Sequence, residues 1–170
     1  MHRFFAPALD PGDDIVALPR DEAEHLTRVL RVGVGDTVAV FDGRGHEFVA
    51  RVVTAARRDV QVQLLARVDA VPEPLVSVTL VQGVLKGDKM DDVIRDAVMM
   101  GVAVVQPTIT TRTEASVASL RRSRRHERWQ RIAVSAAKQC GRSVVPDVRE
   151  PCTFQEALLS LDAERRLRSA

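Results

Sequence analysis

The chain has 170 residues, 45% hydrophobic and 28% charged, ordinary values for a folded protein of one domain or two small ones. No run of eighteen apolar residues supplies a transmembrane helix, and the opening MHRFFAPALDPGDD lacks the apolar stretch of a secretory signal. Two cysteines, Cys140 and Cys152, are too few for a disulfide framework or a zinc site, so no metal is expected and a reducing cytoplasm is the expected compartment.

The net charge of +2 hides an uneven distribution. Residues 1–72 hold nine Arg against eleven acids, whereas residues 116–142 hold seven Arg and one Lys against the single acid Glu127. Such a basic block in a nearly neutral chain points to a polyanionic partner.

In chain order, residues 21–31 (DEAEHLTRVLR) read as a helix with Ala23, Leu26 and Leu30 on one face, Asp21 as its cap and Gly33 past its end. His25, Arg28 and Arg31 gather on its polar side. Residues 37–41 (TVAVF), 46–53 (HEFVARVV) and 60–65 (VQVQLL) alternate as strands, the first two joined by the hairpin signal Asp42-Gly43-Arg44-Gly45. One helix and several short strands in so few residues suit a small barrel. The sequence VPEP at residues 71–74 enforces an extended linker, so a boundary is expected after residue 72.

Beyond it the pattern changes. Residues 76–84 (VSVTLVQGV) read as a strand covered on both faces, residues 88–100 as a helix with Gly101 at its C-terminal cap, and residues 102–106 (VAVVQ) as a second strand ended by Pro107. Strand, helix, strand at this spacing is a parallel βαβ unit, whose ligands collect at the carboxyl ends of the strands. GVLKGDK at residues 83–89 is not a phosphate loop: only three residues separate Gly83 from Gly87, and no Ser or Thr follows Lys89. From Arg124 to Arg142, Trp129, Ile132, Ala133, Ala136 and Cys140 form one helical stripe, while Arg124, Arg128, Arg131, Lys138 and Arg142 fall in a separate sector suited to phosphates. A last helix over residues 154–161 precedes a polar tail, residues 162–170.

Nucleophile elbows, metal-spaced clusters and dinucleotide fingerprints are absent from the sequence. What remains is cationic: Lys86, Lys89, Arg112 in TTRTE, and the group Gln139, Gly141, Arg142. Arg and Lys sites hold phosphates or stabilise developing negative charge. Six aromatic residues argue against base-stacking platforms.

The order RFF, HLTRVLRVGVGD, FDGRG, KGDKM, P-x-x-x-x-R, RW and QCGR-x-x-x-P resembles the ribosomal RNA small subunit methyltransferase E family of the SPOUT superfamily, from Arg3 to about Val148. The resemblance implies an N-terminal PUA-like β-barrel that binds RNA (residues 1–72) and the N-terminal part of an α/β SPOUT methyltransferase domain (residues 73–170), incomplete in this chain. It implies S-adenosylmethionine as donor, N3 of a uridine in 16S rRNA of the small ribosomal subunit as acceptor, and a homodimer. His25, Arg28 and Arg31 match the family's basic helix, and Lys86 and Lys89 its strand-to-helix turn; with Arg124, Arg128, Arg131 and Lys138 they are the expected RNA contacts. Gln139 and Gly141 match as cofactor-binding positions. Arg112 and Arg142 are the expected catalytic cations, either of which would stabilise a deprotonated uridine.

The sequence departs from the family pattern at Thr111, where an acidic residue is usual, and at Met99-Met100-Gly101, where an acid normally precedes Leu-Gly. Nothing in residues 143–170 resembles the family's Gly-Pro-Glu-Gly-Gly-like loop or its Leu-Gly-x-x-x-Leu-Arg segment. The main cofactor pocket is therefore expected beyond Ala170, and the 170 residues alone are expected to be inactive. A rival expectation is a non-catalytic RNA-binding protein, a PUA-like domain with a degenerate α/β partner.

Overall fold

The computed structural model describes residues 1–56 and 58–168. The chain forms two compact units, the first of Met1–Glu73 with Ala137–Val145, the second of Pro74–Ala136 with Pro146–Ala170. The first unit thus runs through Glu73 and also takes in a segment from far along the chain.

In the first unit, strands β1 (Arg3–Phe5), β2 (Ile15–Ala17), β3 (Thr37–Phe41), β4 (Glu47–Ala56) and β5 (Asp59–Val68) form one sheet in the order β1-β3-β4-β5-β2. Only the β1–β3 pair is parallel. Phe4, Val38, Val40, Phe48, Ala50, Val52, Val60 and Val62 alternate inward and bury a core with Leu26. The β3–β4 turn follows the hairpin signal: Asp42 accepts hydrogen bonds from the backbone N–H of Arg44 (2.7 Å) and His46 (3.1 Å). Gly43 (φ 79°) lies where an added Cβ would stand 2.8 Å from a Phe5 ring carbon.

Helix α1 (Arg20–Glu24) starts one residue earlier than expected, with Pro19 rather than Asp21 at its N-cap. It then widens into a π-helical turn, His25–Val29, in which Leu30 N–H donates to the His25 carbonyl five residues back (3.1 Å). Arg31 leaves this turn at φ 54°, the one non-glycine residue with positive φ among the described residues.

In the second unit, β6 (Thr79–Gly83) leads into α2 (Lys89–Met99) and back to β7 (Val104–Ile109), parallel to β6. The βαβ expectation is thus met, with two corrections. β6 is an edge strand and half-buried throughout, not covered on both faces. Pro107 lies inside β7 rather than ending it. Val105 accepts a hydrogen bond from Arg149 N–H on one side, and Thr108 accepts one from Val84 N–H on the other. Pro107, sharing the side of Val105, therefore points its missing N–H between two short partners, β8 (Asp147–Val148) and β9 (Cys152–Thr153), where no ladder donor is required.

Gly101 (φ 88°) closes α2 as expected: its N–H donates to Val98 (3.1 Å) and that of Val102 to Ala97 (3.0 Å). Helix α3 (Val117–Arg122) opens with a capping box between Ser116 and Ser119. Helix α4 (Arg125–Cys140) follows after a break at Ser123. Helix α5 (Phe154–Arg168) runs well past residue 161, so most of the expected tail is helical; its residues 169–170 lie outside the described residues. No helix among the described residues is long and apolar enough to cross a membrane.

Candidate nucleic-acid interface

At the carboxyl ends of β6 and β7 lies a cavity of about 440 Å³ lined by Lys86, Gly87, Arg112, Glu114 and Arg125 among others. The β6–α2 turn supplies Lys86, with Gly87 at φ 63° giving the reversal that a side chain would resist. The loop after β7 is a tight turn: Thr113 N–H donates to the Thr110 carbonyl (3.0 Å), while Thr113 Oγ1 accepts from Thr110 N–H (3.1 Å). That turn presents Arg112, exposed and with no carboxylate partner among the described residues. Lys86 meets Glu114 at 3.4 Å, but their side chains are 82% and 75% exposed, so this pair is weak and easily exchanged. Three cations against one loosely held acid give the cavity a positive lining, which is suited to an anion. Lys89 is exposed on the first turn of α2 and does not line the cavity.

In the first unit, His25, Arg28 and Arg31 are exposed on and just after the π-helical turn, while Leu26 between them is fully buried. None has an ion-pair partner among the described residues.

The expected basic ladder does not survive as one face. Arg124 precedes α4 and Arg142 follows it, past Gly141 at φ 84°. Arg128 pairs with Asp88 (3.0 Å) and with Asp91, and Arg131 Nε donates to the Glu127 carbonyl (3.3 Å). Lys138 donates to both carboxylate oxygens of Glu22 (2.8 and 2.7 Å) and sits over the Phe4 ring. Arg142 is 7% exposed and clasps Glu73. Lys138 and Arg142 are thus held inside their own unit by carboxylates, which removes Lys138 from a phosphate-facing row and Arg142 from an open site. Trp129, Ala133 and Ala136 are buried as the stripe predicts, but Cys140 is exposed on the last turn.

Arg3 is the residue that sequence patterning missed. Its guanidinium makes a bidentate pair with Glu47 (2.9 and 2.7 Å), donates to the carbonyls of Ala137 (3.1 Å), Lys138 (2.9 Å) and Arg142 (3.2 Å), and lies over the Phe41 ring. Ser143 Oγ donates to the same Glu47 carboxylate. Burial pushes Glu47 up, but the hydrogen bonds from Arg3 and Ser143 and the Arg3 charge outweigh it and hold the carboxyl below its ordinary range. Asp42 behaves alike: burial raises it, and its bonds from His46 and the backbone of Arg44 bring it lower overall.

Gln139 is exposed at the end of α4, and neither it nor Gly141 lines the cationic cavity. No group of three or more His, Cys, Asp or Glu placed to hold a metal occurs among the described residues.

A PUA-like sheet followed by a parallel α/β unit is the arrangement of an RNA methyltransferase with an N-terminal PUA domain. The family model described as RNA methyltransferase domain matches residues 71–169, and the one described as RNA methyltransferase PUA domain matches residues 18–65. The chain belongs to the family that the first of these models describes, the RNA methyltransferase domain family. It is 34% identical to the Synechocystis sp. ribosomal RNA small subunit methyltransferase E over 82% of its own length and 44% of that protein's. Against the Buchnera aphidicola protein of the same name it is 26% identical, over 77% of its length and 52% of the relative's. The crystal structure of the Neisseria gonorrhoeae enzyme bound to S-adenosyl methionine superimposes with a TM-score of 0.85 at 33% identity, covering 93% of this chain and 65% of that one. The chain therefore spans about half the length of these curated relatives.

Proposed function

We propose that the protein transfers a methyl group from S-adenosylmethionine to N3 of a uridine in 16S rRNA, acting as a cytoplasmic homodimer on the small ribosomal subunit. The observation that carries this reading is the cavity at the ends of β6 and β7, where Arg112, Lys86 and Arg125 converge. The donor supplies the methyl group when bound; the 170 residues by themselves are proposed to bind it weakly and to be inactive.

What this chain contributes is RNA placement and charge. Uridine N3 carries a proton at neutral pH, and a cation beside O2 or O4 favours its loss, as an opposite charge does for any acid. Arg112, exposed at its turn and without a carboxylate partner among the described residues, suits that role. Arg142 does not, because Glu73 already occupies its guanidinium. Lys86, Lys89, His25, Arg28 and Arg31 are proposed to hold the RNA backbone. Arg112→Ala in the protein from its complete reading frame should lower methylation of small subunits about 10²-fold or more, the scale of one lost transition-state donor. Unchanged turnover would exclude Arg112. RNA binding without any methylation of any substrate would instead favour a binding protein.

A further inference from the structure

We infer that the corner between α3 and α4, carrying Arg121, Arg122, Arg124 and Arg125, is a docking surface for the sugar-phosphate backbone of a single RNA strand whose target base enters the adjoining cavity. This rests on the RNA methyltransferase reading above.

Many basic residues of this protein are held by carboxylates, whereas others, Arg28, Arg31 and Arg112 among them, are not among the described residues. Arg3, Arg44, Arg128, Lys138 and Arg142 each have a carboxylate partner. The four corner arginines are exposed, and no side-chain hydrogen bond or ion pair holds any of them among the described residues. Glu156 feels the charge of Arg121, but its carboxylate is held by the Thr153 N–H (2.7 Å) and hydroxyl (2.8 Å). Arg121 and Arg122 end α3, where a helix dipole favours cations; Arg124 and Arg125 stand at the start of α4, where it disfavours them. Helix stability therefore accounts for half of the cluster and opposes the other half. Four like charges in five residues repel one another, a cost that a polyanion relieves.

Both sides of the corner are tethered. The Ser116–Ser119 capping box fixes the start of α3, Leu120 is buried beneath it, and the His126 ring meets the Val148 carbonyl (2.6 Å) and Glu150 (2.8 Å) just inside α4. Arg125 belongs to both features, since it also lines the cavity with Lys86 and Arg112. The surface thus leads from four phosphate-binding forks to a cationic pocket. A membrane would need apolar side chains beside the charges, and here Leu120 is buried and Val117 half-buried.

The test measures binding of fluorescein-labelled oligouridylate to the full-length protein over a series of KCl concentrations. Replacing all four residues (R121Q, R122Q, R124Q, R125Q) should weaken binding and flatten the slope of log K against log salt by about 2 to 3, from roughly 0.7 per lost phosphate contact on a single strand. If that variant does not fold by circular dichroism, the pairs R121Q/R122Q and R124Q/R125Q should each lose about 1.4 from the slope. Wild-type slope and affinity in the variants would overturn the inference while leaving the RNA reading intact. A wild-type protein that binds no oligouridylate would overturn both. Equal loss of binding to anionic phosphatidylserine vesicles with no effect on RNA would also overturn it.

Discussion

Removing Arg3 gives the sharpest test of how the first unit is held together. In Arg3→Ala, the Glu47 carboxylate loses two charge-assisted bonds and its counter-charge, and three carbonyls near the end of α4 lose a donor. The side chains of Arg3 and Glu47 are 16% and 10% exposed, so water only partly replaces what is lost. Deleting one partner of a buried pair costs about 3–5 kcal/mol, and the residual exposure puts this case near the lower end, about 3 kcal/mol. In a chain of this size, that lowers the melting temperature by roughly 6–12 °C. Urea unfolding followed by circular dichroism measures the loss directly. It should also depend on pH. Without Arg3, burial dominates and the Glu47 carboxyl rises above its ordinary range, so it takes up a proton as the solution is acidified and the penalty shrinks. A double variant, R3M/E47L, should recover most of the loss, because a buried pair is replaceable by apolar groups more readily than it is broken. A cost below about 1 kcal/mol at neutral pH, or one equal at pH 7 and pH 4.5, would refute the reasoning.

Lys138→Met should destabilise the first unit by about 2 kcal/mol through the stranded Glu22 carboxylate, yet leave the salt dependence of RNA binding unchanged; a flattened slope would return Lys138 to the RNA surface. Gly101→Val places a Cβ that would lie 2.8 Å from Pro74 at φ 88°, so chemical denaturation should show a loss of about 2 kcal/mol or more, and a neutral result would contradict the cap geometry. The folded carboxyls of Asp42 and Glu47 both lie below their ordinary values, so their contribution is complete above the unfolded values near 4 and is lost as pH falls through the folded ones. Denaturant midpoints should accordingly fall below about pH 4, less steeply in Asp42→Asn; identical acid profiles for the two proteins would refute the role of Asp42.

Local patterns proved readable wherever the cause was local. The Asp42-Gly43-Arg44-Gly45 hairpin, the βαβ order and the Gly101 cap follow from turn chemistry and apolar spacing within a few residues. The ladder reading failed because helical spacing says which side chains share a sector, not what meets them: Glu22 reaches Lys138 across 116 residues, and Glu73 reaches Arg142 across 69. Arg3 was invisible for the same reason, its partners lying in β4 and beyond α4. Pro107 misled because a proline inside a strand is tolerated only where the neighbouring edge is interrupted, and that gap between β8 and β9 is a tertiary fact. The cationic turn residues Lys86 and Arg112, placed by sequence at the strand ends, do meet in one cavity. Arg125 joins them there, a position that its sequence neighbours alone did not single out.

The central claim is tested most directly by product analysis. The protein from its complete reading frame is incubated with small ribosomal subunits and methyl-labelled S-adenosylmethionine, and the 16S rRNA is digested to nucleosides for chromatography and mass spectrometry. The account predicts label in 3-methyluridine, reduced about 10²-fold or more by Arg112→Ala. Label on another nucleoside, or RNA that binds but never acquires a methyl group, would contradict it.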